Sequence, residues 1–182
     1  MSEVQENICI YGASSSHIDE IYLKDARRVG ELIASKGYGL VSGGGRGGLM
    51  AAAIEGSISC GGKTIGVLPR FMIEREWQHP SLPEVIVTES MHLRKQTMAS
   101  ISKAVIAMPG GIGTLEEMAE IITWRQLKLF FGNVVILNTD GYYNPLLNMF
   151  AKMNQKGFMR EGSGRLWQVA VSPEEAVEMA IG

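Results

Sequence analysis

The chain has 182 residues, of which 46% are hydrophobic and 20% charged. That is the make-up of one globular domain able to bury a core without disulfide or metal staples. A net charge of −2 supplies no general basic face for nucleic acid or acidic membrane, and no apolar run approaches the ~18 residues of a membrane span. With no secretory leader pattern at the start, and with Cys9 and Cys60 in or near apolar runs without metal-ligand spacing, the expectation is a soluble cytoplasmic protein with reduced, packed cysteines.

Residues 7–11, NICIY, form a short apolar run stopped by Gly12, and the helical spacing of Ile18, Tyr22, Ala26, Val29, Leu32 and Ile33 follows. Ser14, Ser15 and Ser16 are expected to cap that helix, with a ligand contact as the alternative. Residues 39–42 predict a second strand, after which Gly43 to Gly48 read G-x-G-x-x-G at the head of a helix. A dinucleotide site would want an acid at the end of the next strand. Residues 64–68 run instead into Pro69 and Arg70, which disfavours NAD and leaves a 2′-phosphate contact by Arg70 as the remaining nicotinamide option. Residues 61–64, GGKT, end like a P-loop, but the first glycine of that motif falls at Ser57 and a strand follows, so they read as a turn.

Periodicity disappears over residues 70–83, which predicts a long loop in which Trp77 either closes a site or packs on the core, and His79 lies at the surface. Residues 84–88 predict a strand, and Ser90 caps a helix whose spacing puts Arg94, Met98 and Ile101 on one face. A cation on such a face needs an anion, in a structural ion pair or at a site. Lys95 falls on a neighbouring face and is expected in solvent.

Residues 103–108 predict a strand that runs into Gly110, Gly111 and Gly113, and a helical pattern begins at Thr114. Strand, glycine loop and helix together aim unpaired N–H groups and a helix dipole at one point, a natural seat for phosphate, with Glu116 and Glu117 beside it. Thr114 and Glu117 also match a capping box. That account leaves the three glycines and Glu116 unexplained, so cap and active site both stay open. Leu115, Met118, Ala119 and Ile122 form a core-facing stripe, which Ile121 and Trp124 widen toward a partner subunit. A strand at 133–137, a turn at 138–141, a helix near 143–153, an apolar run at 166–171 and a helix begun by Ser172, Pro173 and Glu174 complete the chain. Alternating strands and helices specify an α/β fold, a parallel sheet with helices on both faces in a single domain, residues 1–182, with ligands at the carboxyl ends of the strands.

Residues 109–117, PGGIGTLEE, resemble the PGGxGTxxE signature of the LOG ("lonely guy") family of cytokinin riboside 5′-monophosphate phosphoribohydrolases, often mislabelled lysine decarboxylases. The likeness extends to GGG…GLM at 43–50, MHLRK at 91–95, ITW with QL at 122–127 and DGYY at 140–143. It implies a Rossmann-like homodimer that takes a nucleoside 5′-monophosphate, adenosine 5′-monophosphate or an N6-substituted relative, and releases free base and ribose 5-phosphate without metal or cofactor. By the same resemblance Arg94 and Glu117 match the catalytic pair. Gly110, Gly111, Gly113 and Thr114 match the phosphate loop, and Gly45, Met91, Lys95, Pro109 and Glu116 join them in holding substrate. The chain departs from the family at Ser42, where tyrosine is common, and at Arg125 and residues 128–132. A non-catalytic carrier of a nucleotide or phosphorylated cofactor is the competing expectation.

Overall fold

The computed structural model describes residues 6–160 and 162–182. Among these residues seven strands, β1 (Asn7–Tyr11), β2 (Gly39–Ser42), β3 (Thr64–Pro69), β4 (Glu84–Thr88), β5 (Ala104–Ala107), β6 (Asn133–Leu137) and β7 (Gln168–Ala170), form one sheet in the order β4-β3-β2-β1-β5-β6-β7. Every pairing is parallel. Parallel strands covered on both faces have no polar side to show, which is why β1 after Asn7, β2 and β5 read as small or apolar runs.

Among the described residues seven α-helices connect and cover the strands: α1 (Glu20–Ser35), α2 (Gly48–Ser59), α3 (Arg70–Glu74), α4 (Met91–Ser100), α5 (Ile112–Gln126), α6 (Asn144–Gln155) and α7 (Pro173–Ile181). Two cores result. Ile8, Ile10, Leu40, Ile106 and Leu137 face α1, α2 and α7, while Cys9, Val41, Val67, Val105 and Ile136 meet the side chains of α4, α5 and α6 on the other face. Their alternation along each strand is the period of two that sends successive side chains to opposite faces. The expected α/β architecture, with helices on both faces, is the one observed.

Several local readings shift. α1 begins at Glu20 behind Asp19, with no side-chain cap, so Ser14 to Ser16 do not cap it. The stretch expected to be structureless from residue 70 opens with α3. The buried stripe of α5 is Thr114, Met118, Ile121 and Ile122, and Ala119 is exposed. Cys9 is buried as expected, but Cys60 is exposed at the end of α2. The caps predicted at Ser90 and Ser172 are present, each hydroxyl accepting from a backbone N–H three residues on. No helix among the described residues is long and apolar enough to cross a membrane.

Strand order reverses between β1 and β5, because β2, β3 and β4 lie to one side and β6 and β7 to the other. At such a switch point the loops leaving the strand ends part and open a crevice. Ala13 N–H donates to the Pro109 carbonyl across it at 3.1 Å, so the two loops are braced before they separate.

Candidate active site

A cavity of about 780 Å³ opens above the carboxyl ends of the central strands. Its walls come from every loop there: Ser14 to Ser16 after β1, Gly43, Gly45, Arg46 and Gly47 after β2, Met72 and Trp77 after β3, Met91 and Arg94 of α4, and Gly111, Gly113, Thr114, Glu116 and Glu117 after β5. The volume suits a mononucleotide-sized ligand.

The chemical centre is Arg94. It is 5% exposed, and its guanidinium donates from Nε to the Val67 carbonyl at 3.0 Å and from Nη2 to the Gly43 carbonyl at 3.2 Å. Two backbone carbonyls, one within β3 and one just past β2, thus fix the plane of the group, and Nη1 is left facing Glu117 Oε1 at 3.5 Å. That distance is long for a hydrogen bond, so the pair is a charge contact with room for further ligands on both members. The position is open only because residue 43 is glycine: a Cβ there would stand 1.8 Å from Arg94 Nη2. The first glycine of the G-x-G-x-x-G pattern therefore makes space for an arginine of this chain, which accounts for it without a dinucleotide.

Glu117 is the more unusual partner. Burial pushes its carboxyl up to about 7, with Arg94 pulling the other way, Glu116 and Glu120 adding to the rise and Lys95 opposing it. A carboxyl poised near neutrality at the wall of a cavity is suited to exchange protons with water or substrate.

The capping box is absent. α5 starts at Ile112, two residues earlier than expected, with Gly111 as its N-cap and no side-chain acceptor for the first-turn N–H groups. Thr114 is buried in the first turn, and its side chain packs where a Cβ on Gly110 would lie, 2.1 Å from Oγ1. Gly111 and Gly113 have open space where a Cβ would stand. The helix end is thus uncapped and presents open glycine backbone to the cavity, the combination an oxyanion can use.

Of the residues singled out in the sequence, Gly45, Met91, Arg94, Gly111, Gly113, Thr114, Glu116 and Glu117 line this cavity. Pro109 and Gly110 line a neighbouring space of about 320 Å³ together with Tyr22 and Tyr142. Lys95 is the clearest correction. It is buried, not in solvent, and its ammonium bonds Glu116 and, at 3.0 Å, Glu120. His79 also proves buried, not at the surface: its backbone N–H donates to the Gly44 carbonyl at 2.8 Å, its Nδ1 accepts from Ser81 N–H at 3.2 Å, and its Nε2 lies 3.6 Å from Glu55 Oε1. These bonds, with Arg46 N–H on the Trp77 carbonyl at 3.1 Å, seat the loop after α3 on the glycine loop and put the half-exposed Trp77 ring at the cavity wall.

The DGYY stretch at 140–143 supplies two supports whose role the sequence did not show. Tyr142 Oη donates to the Gly110 carbonyl and Tyr143 Oη to the Met108 carbonyl, each at 2.8 Å, so both tyrosines brace the loop that carries Gly111. The departure at 128–132 is self-contained: Arg125 Nη1 donates to the Gly132 carbonyl at 2.7 Å across a turn that puts Lys128 at φ 59°. Ser42, the other departure, is fully buried and accepts from Gly44 N–H at 3.2 Å.

A family model described as "Possible lysine decarboxylase" matches residues 50–180. The chain is 39% identical to a probable cytokinin riboside 5′-monophosphate phosphoribohydrolase of Oryza sativa subsp. japonica over 171 residues, which cover 94% of this chain and 70% of that protein. It is 38% identical to a cytokinin riboside 5′-monophosphate phosphoribohydrolase of Arabidopsis thaliana, covering 95% and 81% respectively. Among solved structures, the molybdenum cofactor binding protein of Rippkaea orientalis superposes with a TM-score of 0.75 at 28% identity, covering 97% of this chain and 96% of that one. The Moco carrier protein of Chlamydomonas reinhardtii superposes with a TM-score of 0.74 at 26% identity, covering 96% and 94%.

Proposed function

The chain belongs to the LOG family, and from that premise we propose that it is a nucleoside 5′-monophosphate phosphoribohydrolase. It hydrolyses the N-glycosidic bond of adenosine 5′-monophosphate or an N6-substituted (cytokinin) riboside 5′-monophosphate and releases free base and ribose 5-phosphate. The observation that carries this reading is the buried Glu117 carboxyl, poised near neutrality across from a fixed Arg94 at the wall of a cavity that also holds an uncapped helix end.

In this reading the substrate phosphate sits at the start of α5, against the backbone of Gly111 and Gly113 and the Thr114 hydroxyl, with Pro109 and Gly110 shaping the loop. Anchoring the phosphate positions the ribose C1′ beside Glu117. As the C1′–N bond lengthens, its electron pair leaves with the base and positive charge grows on the ribose ring, where the Glu117 carboxylate stabilises it. Water adds to C1′ and gives up a proton to Glu117, and the departing base takes a proton in turn, which balances the cleavage. Arg94 keeps the carboxylate aimed and ionised. Gly45, Met91 and Glu116 border the space left for ribose and base. The chemistry asks for no metal or cofactor, and residues 1–182 act as one catalytic domain. A reduced, buried Cys9 fits a cytoplasmic enzyme.

The test is incubation with adenosine 5′-monophosphate and with N6-isopentenyladenosine 5′-monophosphate, following free base by chromatography. Release of base and ribose 5-phosphate in equal amounts is expected, with kcat/KM rising through about pH 7 to a plateau as Glu117 ionises. A folded protein that binds both nucleotides and cleaves neither sinks the enzyme assignment. The similarity to molybdenum cofactor carriers supports a second reading, a non-catalytic carrier, which predicts that binding without turnover and a ligand that copurifies.

The enzyme is further proposed to be a homodimer. Leu127, Leu129 and Phe131, which follow one another just beyond the end of α5, are exposed apolar side chains of the kind a second subunit covers. Light scattering is expected to return twice the chain mass. Replacing Leu129 and Phe131 together by lysine is expected to shift the protein toward monomer at micromolar concentration, and an unchanged mass counts against this face.

A further inference from the structure

Three carboxylates crowd the first turns of α5. Glu116 and Glu117 are adjacent, and Glu120 lies one turn above Glu116, so Glu116 and Glu120 share a face on which two like charges repel. α4 answers with two successive cations. Adjacent helical residues point about 100° apart, so Arg94 and Lys95 reach different faces of α5: Arg94 meets Glu117, and Lys95 meets Glu116 and Glu120. The Lys95 side chain is 8% exposed and does not line the cavity, whereas Glu116 is 54% exposed and does. Burial, the largest single influence on the Lys95 ammonium, pulls it down, but its bonds to Glu116 and Glu120 outweigh burial and the net push is up, so it stays charged.

We propose that Lys95 is a positioning residue that never contacts the nucleotide and instead sets the protonation of Glu117 by neutralising Glu116 and Glu120. The inference rests on the catalytic role given to Glu117 above. The charged groups facing Glu117 are Arg94 and Lys95 from α4 and Glu116 and Glu120 on its own helix. Beneath it, β1 presents Cys9 and Tyr11, both pushed up by burial and by the carboxylates, and so neutral. With all three acids ionised, two cations leave one net negative charge in the cluster. Without Lys95 there are two, and both uncompensated carboxylates favour a proton on Glu117. Lys95 thereby keeps Glu117 ionisable at neutral pH while the residue itself stays out of the substrate's reach.

The test titrates the Glu117 carboxyl carbon by NMR in protein carrying 13C-labelled glutamate, assigned by its disappearance in Glu117→Gln. In Lys95→Met the midpoint is expected to rise by about one pH unit, and Lys95→Arg to bring it back most of the way. In Glu116→Gln/Glu120→Gln it is expected to fall, and this variant decides the matter if Lys95→Met does not fold. A midpoint that stays within about 0.3 pH units of wild type in the variants that fold overturns the proposal. In turnover, the acid limb of kcat/KM is expected to follow the NMR midpoint with little change in KM. A large rise in KM with an unmoved limb marks Lys95 as a substrate contact and also overturns it. The titration needs no turnover, so failure of the phosphoribohydrolase reading shows separately, as no base release by the wild type.

Discussion

Glu117→Gln is expected to lower base release by about three orders of magnitude while leaving the protein folded and better able to withstand heat above neutral pH. The two effects have one source. A glutamine keeps the shape of the side chain but neither stabilises charge at C1′ nor accepts a proton from water. Nucleotide affinity, measured by calorimetry, is expected to change only a few-fold, because the phosphate contacts proposed at Gly111, Gly113 and Thr114 are untouched. The stability effect follows from proton linkage. The folded-state carboxyl is pushed up to about 7 from an ordinary value of 4.5, so the native state holds its proton more tightly than the unfolded chain. Stability from this group is therefore full below about pH 4.5, falls between there and about pH 7, and above that the fold carries a penalty of roughly 3 kcal/mol. Glutamine has no charge to bury. The difference in unfolding free energy between variant and wild type is expected to be near zero at pH 4.5 and to favour the variant by roughly that amount at pH 8. A variant that keeps wild-type turnover removes Glu117 from the mechanism, and one that gains nothing at pH 8 denies the buried charge.

The fold was legible because parallel strands buried on both faces must be apolar throughout, and residues 7–11, 39–42 and 133–137 carry that pattern with glycine or polar residues at their ends. The glycine-rich turn into α5 was legible in the crowding of Gly110, Gly111 and Gly113, although the capping box was a false signal: Thr114 and Glu117 have its spacing, yet the helix starts at Ile112 and neither side chain caps it. Arg94 could be placed on a buried face by periodicity, but its partners could not. Val67, Gly43 and Glu117 come to it from three different elements, and no local pattern encodes that meeting. Lys95 was misread for a related reason. A lysine one residue from a buried arginine is ordinarily solvated, and only the approach of α5 with Glu116 and Glu120 gives it an interior partner. His79 follows the same rule, since its burial depends on the glycine loop and α2, which are distant in sequence. Periodicity reports which face a residue occupies, and the chemistry of this site resides in what other elements bring to that face.

Gly43→Ala tests that meeting most directly. Residue 43 is not held in the left-handed region, so alanine is compatible with the backbone itself, and the effect should arise from the added methyl alone. That methyl would stand 1.8 Å from Arg94 Nη2 and 2.9 Å from Cζ, with the Met50 sulfur at 3.3 Å. The guanidinium is the group able to yield, and in yielding it gives up the Gly43 carbonyl and its place opposite Glu117. Base release is expected to fall about a hundredfold, and the acid limb of the pH profile to move to higher pH as Glu117 loses its nearest cation. Arg94→Met should produce the same two changes. The double variant should be little worse than Arg94→Met alone, because two substitutions that disable one contact do not add. Arg94→Lys is not expected to rescue, since a lysine cannot donate to Val67 and Gly43 in one plane and still face the carboxylate. Additive losses in the double variant would separate Gly43 from Arg94 and return the glycine to a role in binding the ligand itself.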